Sequence, residues 1–182
     1  MLRVIVVVMT AATVMLIIAA VFFSSGGEPE KIDRQAYGLY RAGKYEEAAA
    51  AWREGVRKFP NSPRLQCGLG TMLAVLKDFP GAMTHLEAAV RLDTSEPRYR
   101  KELALCLMQQ GRDAQAEREL RSVVAAADWF PEAHYYLGVI HERRGERDLA
   151  LEEYVKELNV NPSCTFAWAK VHSWEKKPSS AQ

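Results

Sequence analysis

One interval governs most of this chain. Ala48, Ala82, Ala116 and Ala150 follow one another at 34 residues, and so do Pro63, Pro97 and Pro131. The small residues Ala36, Gly70, Ala104 and Gly138 keep the same step. Three columns sharing one period divide the chain into units at 29–62, 63–96, 97–130 and 131–164, without insertion or deletion. A unit this short cannot bury an apolar face alone, so its neighbours must cover it and the units must stack.

Inside each unit the spacing is helical. In the third, Leu103, Ala104 and Leu107, then Ala116, Leu120 and Val123, fall on the i, i+3/i+4 pattern of one buried face. Gly111 separates the two stripes as a helix stop, with Gly43 and Gly145 in the same column and Lys77 in the second unit. Proline opening units two to four suits a helix start, where the missing N–H costs nothing. Small residues such as Gly70 and Ala82 let the two helices approach closely, while Leu73 and Leu86 fill the space beside them.

These residues resemble the tetratricopeptide repeat pattern W-x2-L-G-x2-Y…A-x3-F…P. It stands here as Leu69-Gly70-x2-Leu73…Ala82-x3-Leu86, Leu103-Ala104-x2-Leu107…Ala116-x3-Leu120 and Leu137-Gly138-x2-His141…Ala150-x3-Tyr154. The first unit reads Ala36-x2-Leu39…Ala48-x3-Trp52…Pro60. The resemblance implies an all-α, right-handed α-solenoid of four helix-turn-helix repeats, with the first helix of each repeat lining a concave face. Gln35, His141 and Glu157 occupy columns that are normally apolar, and a hydrogen bond from His141 to Glu157 would reconcile two of them. Trp168-x2-Val171 begins like a fifth unit, but His172 takes the small-residue column and no second helix follows. Residues 164–176 are therefore expected to form a capping helix, and 177–182 a disordered tail.

Ahead of the repeats, residues 4–23 are apolar apart from Thr10 and Thr13. As a helix they would be roughly 30 Å long, the thickness of a bilayer's hydrocarbon core. Residues 1–27 are expected to be a transmembrane signal-anchor and 28–176 the repeat domain. The alternative is a cleaved signal peptide ending near Ser24-Ser25-Gly26 and an exported soluble protein. Lys31, Arg34 and Arg41 are mixed with Glu28, Glu30 and Asp33, so no cluster of positive charge holds this side in the cytoplasm. The expected location is a bacterial inner membrane, with the repeats on the periplasmic side. Three widely spaced cysteines, Cys67, Cys106 and Cys164, mildly favour a reducing compartment and pull against that placement.

Charge and motifs narrow the function. Residues 1–27 hold one charge, Arg3, so the 23 acidic residues balance the remaining Lys and Arg beyond them. A neutral body argues against nucleic-acid binding, which draws on a basic surface. His141-Glu142-Arg143-Arg144-Gly145 approaches the zinc-protease pattern H-E-x-x-H but lacks the second histidine. His134 and His141 share a helix face, yet both fall in packing columns. Phosphate-binding, dinucleotide and nucleophile-elbow motifs are absent. No catalytic residue, cofactor, metal or small-molecule substrate is expected.

A concave groove is the remaining candidate. Its expected lining is Tyr37 and Tyr40, then Arg64, Cys67 and Thr71, then Arg98, Lys101, Leu105 and Met108, then Tyr135, Val139 and Glu142. Apolar and aromatic side chains on such a face suit a protein or peptide partner. Arg64, Arg98 and Lys101 would receive an acidic group centrally, with Asp33, Glu132 and Glu142 towards the ends. Asp33, Tyr37, Cys67 and Thr71 stand in the columns of the family's Lys/Asn carboxylate clamp, so that clamp is not present. The expected role is a membrane-anchored interaction scaffold, an assembly factor or accessory subunit. In layout alone it resembles the anchored bacterial repeat proteins of envelope biogenesis, cytochrome c maturation and pilus assembly. A rival from another class is a thiol-based redox or metal-handling protein using Cys67 or Cys106.

Overall fold

Each unit turns on one left-handed residue. Gly43, Gly111 and Gly145 have φ of 76°, 71° and 77°, and Lys77 adopts 65° in the same column. Glycine takes this conformation without a Cβ clash, whereas Lys77 holds it at a steric cost. In the computed structural model, which describes residues 27–175, these turns join helices in pairs. The first unit holds α1 (Glu28–Arg41) and α2 (Tyr45–Lys58), the second α3 (Pro63–Val75) and α4 (Phe79–Leu92). The third holds α5 (Pro97–Gln109) and α6 (Asp113–Ala126), the fourth α7 (Ala133–Arg143) and α8 (Arg147–Val160). A last helix, α9 (Thr165–Glu175), packs on α8. Among the described residues there is no strand.

Packing follows the chain. Each first helix lies against its own second helix and each second helix against the next first helix, while α1, α3 and α5 also touch in series. The small columns make this possible: Ala36, Ala48, Ala82, Ala104, Ala116 and Ala150 are all fully buried. A Cβ added to Gly70 would come within 2.7 Å of Leu86 Cγ and 3.0 Å of the Ala82 carbonyl oxygen. The first three units share one apolar core, which reaches into α7 through Leu137 and Ile140. Ala150, Tyr154, Cys164, Ala167 and Val171 form a second cluster under α9.

Two expectations need correction here. Pro131 does not open a helix: α7 starts at Ala133, after Glu132 at φ 69°. The fully buried Glu157 explains the change, because its carboxylate accepts the Glu132 N–H at 2.9 Å and the Tyr135 N–H at 3.4 Å. It thus caps a helix that has no side-chain cap of its own. Glu157 is therefore not the partner of His141, whose Nδ1 lies 2.6 Å from Glu146. The apolar segment at residues 4–23 lies outside the described residues, as does the tail at 177–182. Among the described residues no helix is long and apolar enough to cross a membrane.

The column that carries tryptophan in the family pattern is polar in three of the four units, and each polar side chain finds its partner 19 residues on. Gln66 meets His85 at 2.7 Å, Arg100 meets Glu119 at 2.9 Å and His134 meets Glu153 at 2.6 Å. These bonds tie the first helix of a unit to its second in a fixed register. His134 has a second carboxylate, Asp128, at 3.0 Å from Nε2. A neutral imidazole carries one N–H, so only the imidazolium donates to both acids. Bonding to Glu153 first, and to Asp128, raises the His134 pKa above its usual 6.5 despite burial.

Stability from a histidine with a raised native pKa is fully present below the unfolded value and is lost as pH rises through the native one. His134→Gln should cost about 1–3 kcal/mol, the range for disrupting a buried hydrogen-bonded group. The difference from the parent should be greatest below pH 6.5 and shrink as pH rises. Urea unfolding of both chains across pH checks this. A difference independent of pH would mean that His134 is neutral in the fold.

Candidate ligand groove

The first helices α1, α3 and α5 leave between them a groove of about 940 Å³. Tyr37, Tyr40, Arg64, Cys67, Thr71, Arg98, Lys101 and Leu105 line it, so eight of the expected residues come together. The periodic fold explains why. Residues one helical turn apart share a face, and stacking the units sets those faces side by side. Tyr37 and Tyr40 are exposed, with ring centroids 5.8 Å apart, and Tyr45 continues the row at another 5.8 Å.

The other four expected residues do not line this groove. Met108 is buried in the core rather than presented to a ligand. Tyr135 packs on Tyr154 and Phe166, with centroids at 5.7 Å and 6.0 Å. Val139 is part-buried between the two apolar clusters. Glu142 accepts from Lys170 on both oxygens at 2.7 Å and from the Tyr154 hydroxyl at 2.7 Å. The physical reason is common to three of them: α9 and α8 supply partners that make the fourth unit's first helix an internal surface. Leu105 also differs from expectation, since it lines the groove while packing against the core.

The groove's charges are balanced, with Glu30, Asp33, Glu102 and Glu132 facing Arg34, Arg64, Arg98 and Lys101. Lys101 is largely buried and pairs with Glu132 at 2.8 Å and Glu102 at 3.9 Å. Asp33 accepts from Trp52 Nε1 at 2.9 Å and faces Arg64 at 3.5 Å. Two of the three cations expected to receive a ligand's acid are therefore already engaged. Burial pushes the Glu102 carboxyl above the usual carboxylate range, although Lys101 and Arg98 act in the opposite sense. Glu30 and Arg34 are lining residues that sequence analysis did not select. Their i, i+4 and i+7 spacing to Tyr37 was the available signal.

Cys67 sits in the groove wall, 1% exposed, with its sulfur 4.0 Å from the Thr71 hydroxyl. Desolvation pushes its thiol up to about 11. Cys106 and Cys164 are buried too, and burial also raises the Cys106 thiol. The thiolate is the nucleophile and the metal ligand, and this environment suppresses it. Among the described residues no three His, Cys, Asp or Glu side chains converge as a metal site. At pH 8 roughly one Cys67 thiol in a thousand would be ionised. Iodoacetamide should therefore label the folded chain slowly and the urea-unfolded chain completely. Rapid labelling of Cys67 in the folded chain would restore the redox reading.

Two profiles described as tetratricopeptide repeat match the chain, at residues 34–97 and 76–135. Human antiviral innate immune response effector IFIT1 is 26% identical over 145 residues, which are 74% of this chain and 30% of that protein. Human IFIT1 homolog B is 24% identical over 148 residues, and the match covers 31% of its length. The chain thus spans about a third of these relatives. Among solved structures, YrrB, described as a TPR protein with an unusual peptide-binding site, superposes with a TM-score of 0.65 at 24% identity. That match covers 77% of this chain and 71% of YrrB. PilF of Pseudomonas aeruginosa superposes with a TM-score of 0.75 at 17% identity, covering 81% of this chain and 68% of PilF. At these identities the structural likeness concerns the fold.

Proposed function

We propose that this chain, whose residues 34–135 are tetratricopeptide repeats, is an interaction scaffold that holds a segment of a partner protein in the α1–α3–α5 groove. The observation that carries this reading is the exposed Tyr37–Tyr40 pair on the wall of a charged groove. Aromatic rings there offer large, stiff contact area at little entropic cost, while fixed charges on both sides give register. The peptide-binding site named for YrrB lends support from the same fold. Human IFIT1 has been seen with the capped RNA m7Gppp-AAAA. A polyanion would find no excess of positive charge in this groove, where four acids oppose four bases.

The scaffold is held at a membrane by residues 4–23 and serves there as an assembly factor or accessory subunit, with the repeats on the periplasmic side of a bacterial inner membrane. The spanning-length apolar run supports the anchor, and the uncharged Ser24-Ser25-Gly26-Gly27 exit supports translocation. Alkaline carbonate should leave the full chain in the membrane pellet. Release into the supernatant, with a mature terminus near Gly27, would establish the exported soluble form instead.

In-cell crosslinking followed by affinity capture tests the groove. Tyr37→Ala with Tyr40→Ala should reduce recovery of the partner roughly tenfold or more, the effect of losing central aromatic anchors. Both rings are exposed, so the thermal midpoint should hold. Undiminished capture would place the partner surface on the second helices or on the membrane segment.

A further inference from the structure

The four junctions between consecutive first helices repeat one contact. The fifth residue of a unit faces the second residue of the next, 31 positions on. At the first junction Asp33 faces Arg64 at 3.5 Å, and at the third Lys101 faces Glu132 at 2.8 Å. At the fourth, where α9 stands in for a further unit, Tyr135 faces Phe166 with ring centroids at 6.0 Å. Each of these pairs is complementary, twice by charge and once by aromatic contact.

The second junction breaks the series. There Cys67 faces Arg98, so a guanidinium stands where its counterparts meet a carboxylate or a ring. Glu96 accepts the Arg98 backbone N–H at 3.2 Å, but among the described residues no carboxylate lies within 4 Å of the Arg98 guanidinium, whereas the side-chain cations of Arg64 and Lys101 on either side both have one. Burial holds the Cys67 thiol neutral, so it cannot act as the missing anion. Glu102, one turn further along α5, is drawn to Lys101, and Asp33 to Trp52 and Arg64. Arg98 is exposed and lines the groove.

We infer that the α3–α5 junction is an anion subsite, in which a carboxylate side chain of the bound partner segment pairs with Arg98 and completes the series of junction contacts. This deepens the groove reading and rests on it. The subsite commits the ligand to one chemistry: an Asp or Glu set against Arg98, with apolar neighbours reaching Tyr37 and Tyr40 on one side and Leu105 on the other. Of the three cations that sequence alone marks for this role, only Arg98 is not already held by the protein's own acid. A planar guanidinium binds a carboxylate through two parallel N–H bonds, so a change of side chain here removes geometry as well as charge.

Selection of dodecapeptides on phage against the full chain, run in parallel on Arg98→Gln, tests the assignment. The parent should enrich peptides with an acid at one fixed position flanked by apolar residues. A synthetic peptide from that pool should bind about tenfold more weakly when its acid becomes the amide, the scale of one charge-assisted pair. On Arg98→Gln the same exchange should change affinity less than about twofold, and Arg98→Lys should restore part of the preference. The thermal midpoint of Arg98→Gln should match the parent, whereas Lys101→Gln, which breaks a part-buried pair, should lower it. An enriched pool without a fixed acid, or an acid preference that survives Arg98→Gln, overturns the subsite. Peptides that bind Tyr37→Ala/Tyr40→Ala undiminished, or no enriched pool at all, would overturn the groove reading beneath it.

Discussion

Close approach of two helices at four small residues is the constraint on which everything else hangs. Ala36, Gly70, Ala104 and Gly138 share one column and Ala48, Ala82, Ala116 and Ala150 another; the alanines are all fully buried, Gly70 lies hard against Leu86 and the Ala82 carbonyl, and Gly138 against the Tyr154 ring. No larger side chain fits between the helices, so each pair has one separation and one register. Because the units are equal in length, that register propagates, and residues 31 apart meet across every junction. The groove is a consequence of this propagation: three first helices set in series must leave a concave wall, and the side chains on it are fixed by position in the unit.

Polar groups refine the register without setting it. Gln66–His85, Arg100–Glu119 and His134–Glu153 recur at the same two positions of successive units, the first of which is where the family pattern places tryptophan. Replacing packing by hydrogen bonds at this position keeps the helices aligned while leaving few ways to mispair them, because an unmatched partner would be left part-buried and unsatisfied. The fourth unit carries the most such compensation. Glu157 caps α7, Glu146 takes His141, and Glu142 bridges Lys170 and Tyr154, so an end that would otherwise expose first-helix surface is closed by α9.

Much of the fold could be read from periodicity, since small columns and glycine turns depend on local sterics alone. The first-helix starts of units two and three followed from the proline column, and the turns of units one, three and four from the glycine column. Pro131 was misleading because the start of α7 is decided by Glu157, which approaches from 25 residues away. The groove was legible for the same reason as the fold, in that Tyr37, Arg64, Arg98 and Lys101 occupy equivalent faces. Sequence spacing does not reveal which faces other elements cover, and so Tyr135, Val139 and Glu142 were assigned to a surface that α8 and α9 occupy. Nor does it reveal which cations are satisfied. Lys101 and Arg98 lie three residues apart in one helix, but only Lys101 meets an acid from the next unit.

The proposed partner segment would lie along the first helices, in the groove between α1, α3 and α5. Hydrogen–deuterium exchange of the full chain with and without the captured partner segment addresses this placement directly. Added protection should fall on α1, α3 and α5, and leave α2, α4 and α6 unchanged. Protection confined to α2, α4 and α6, or to α9, would contradict it.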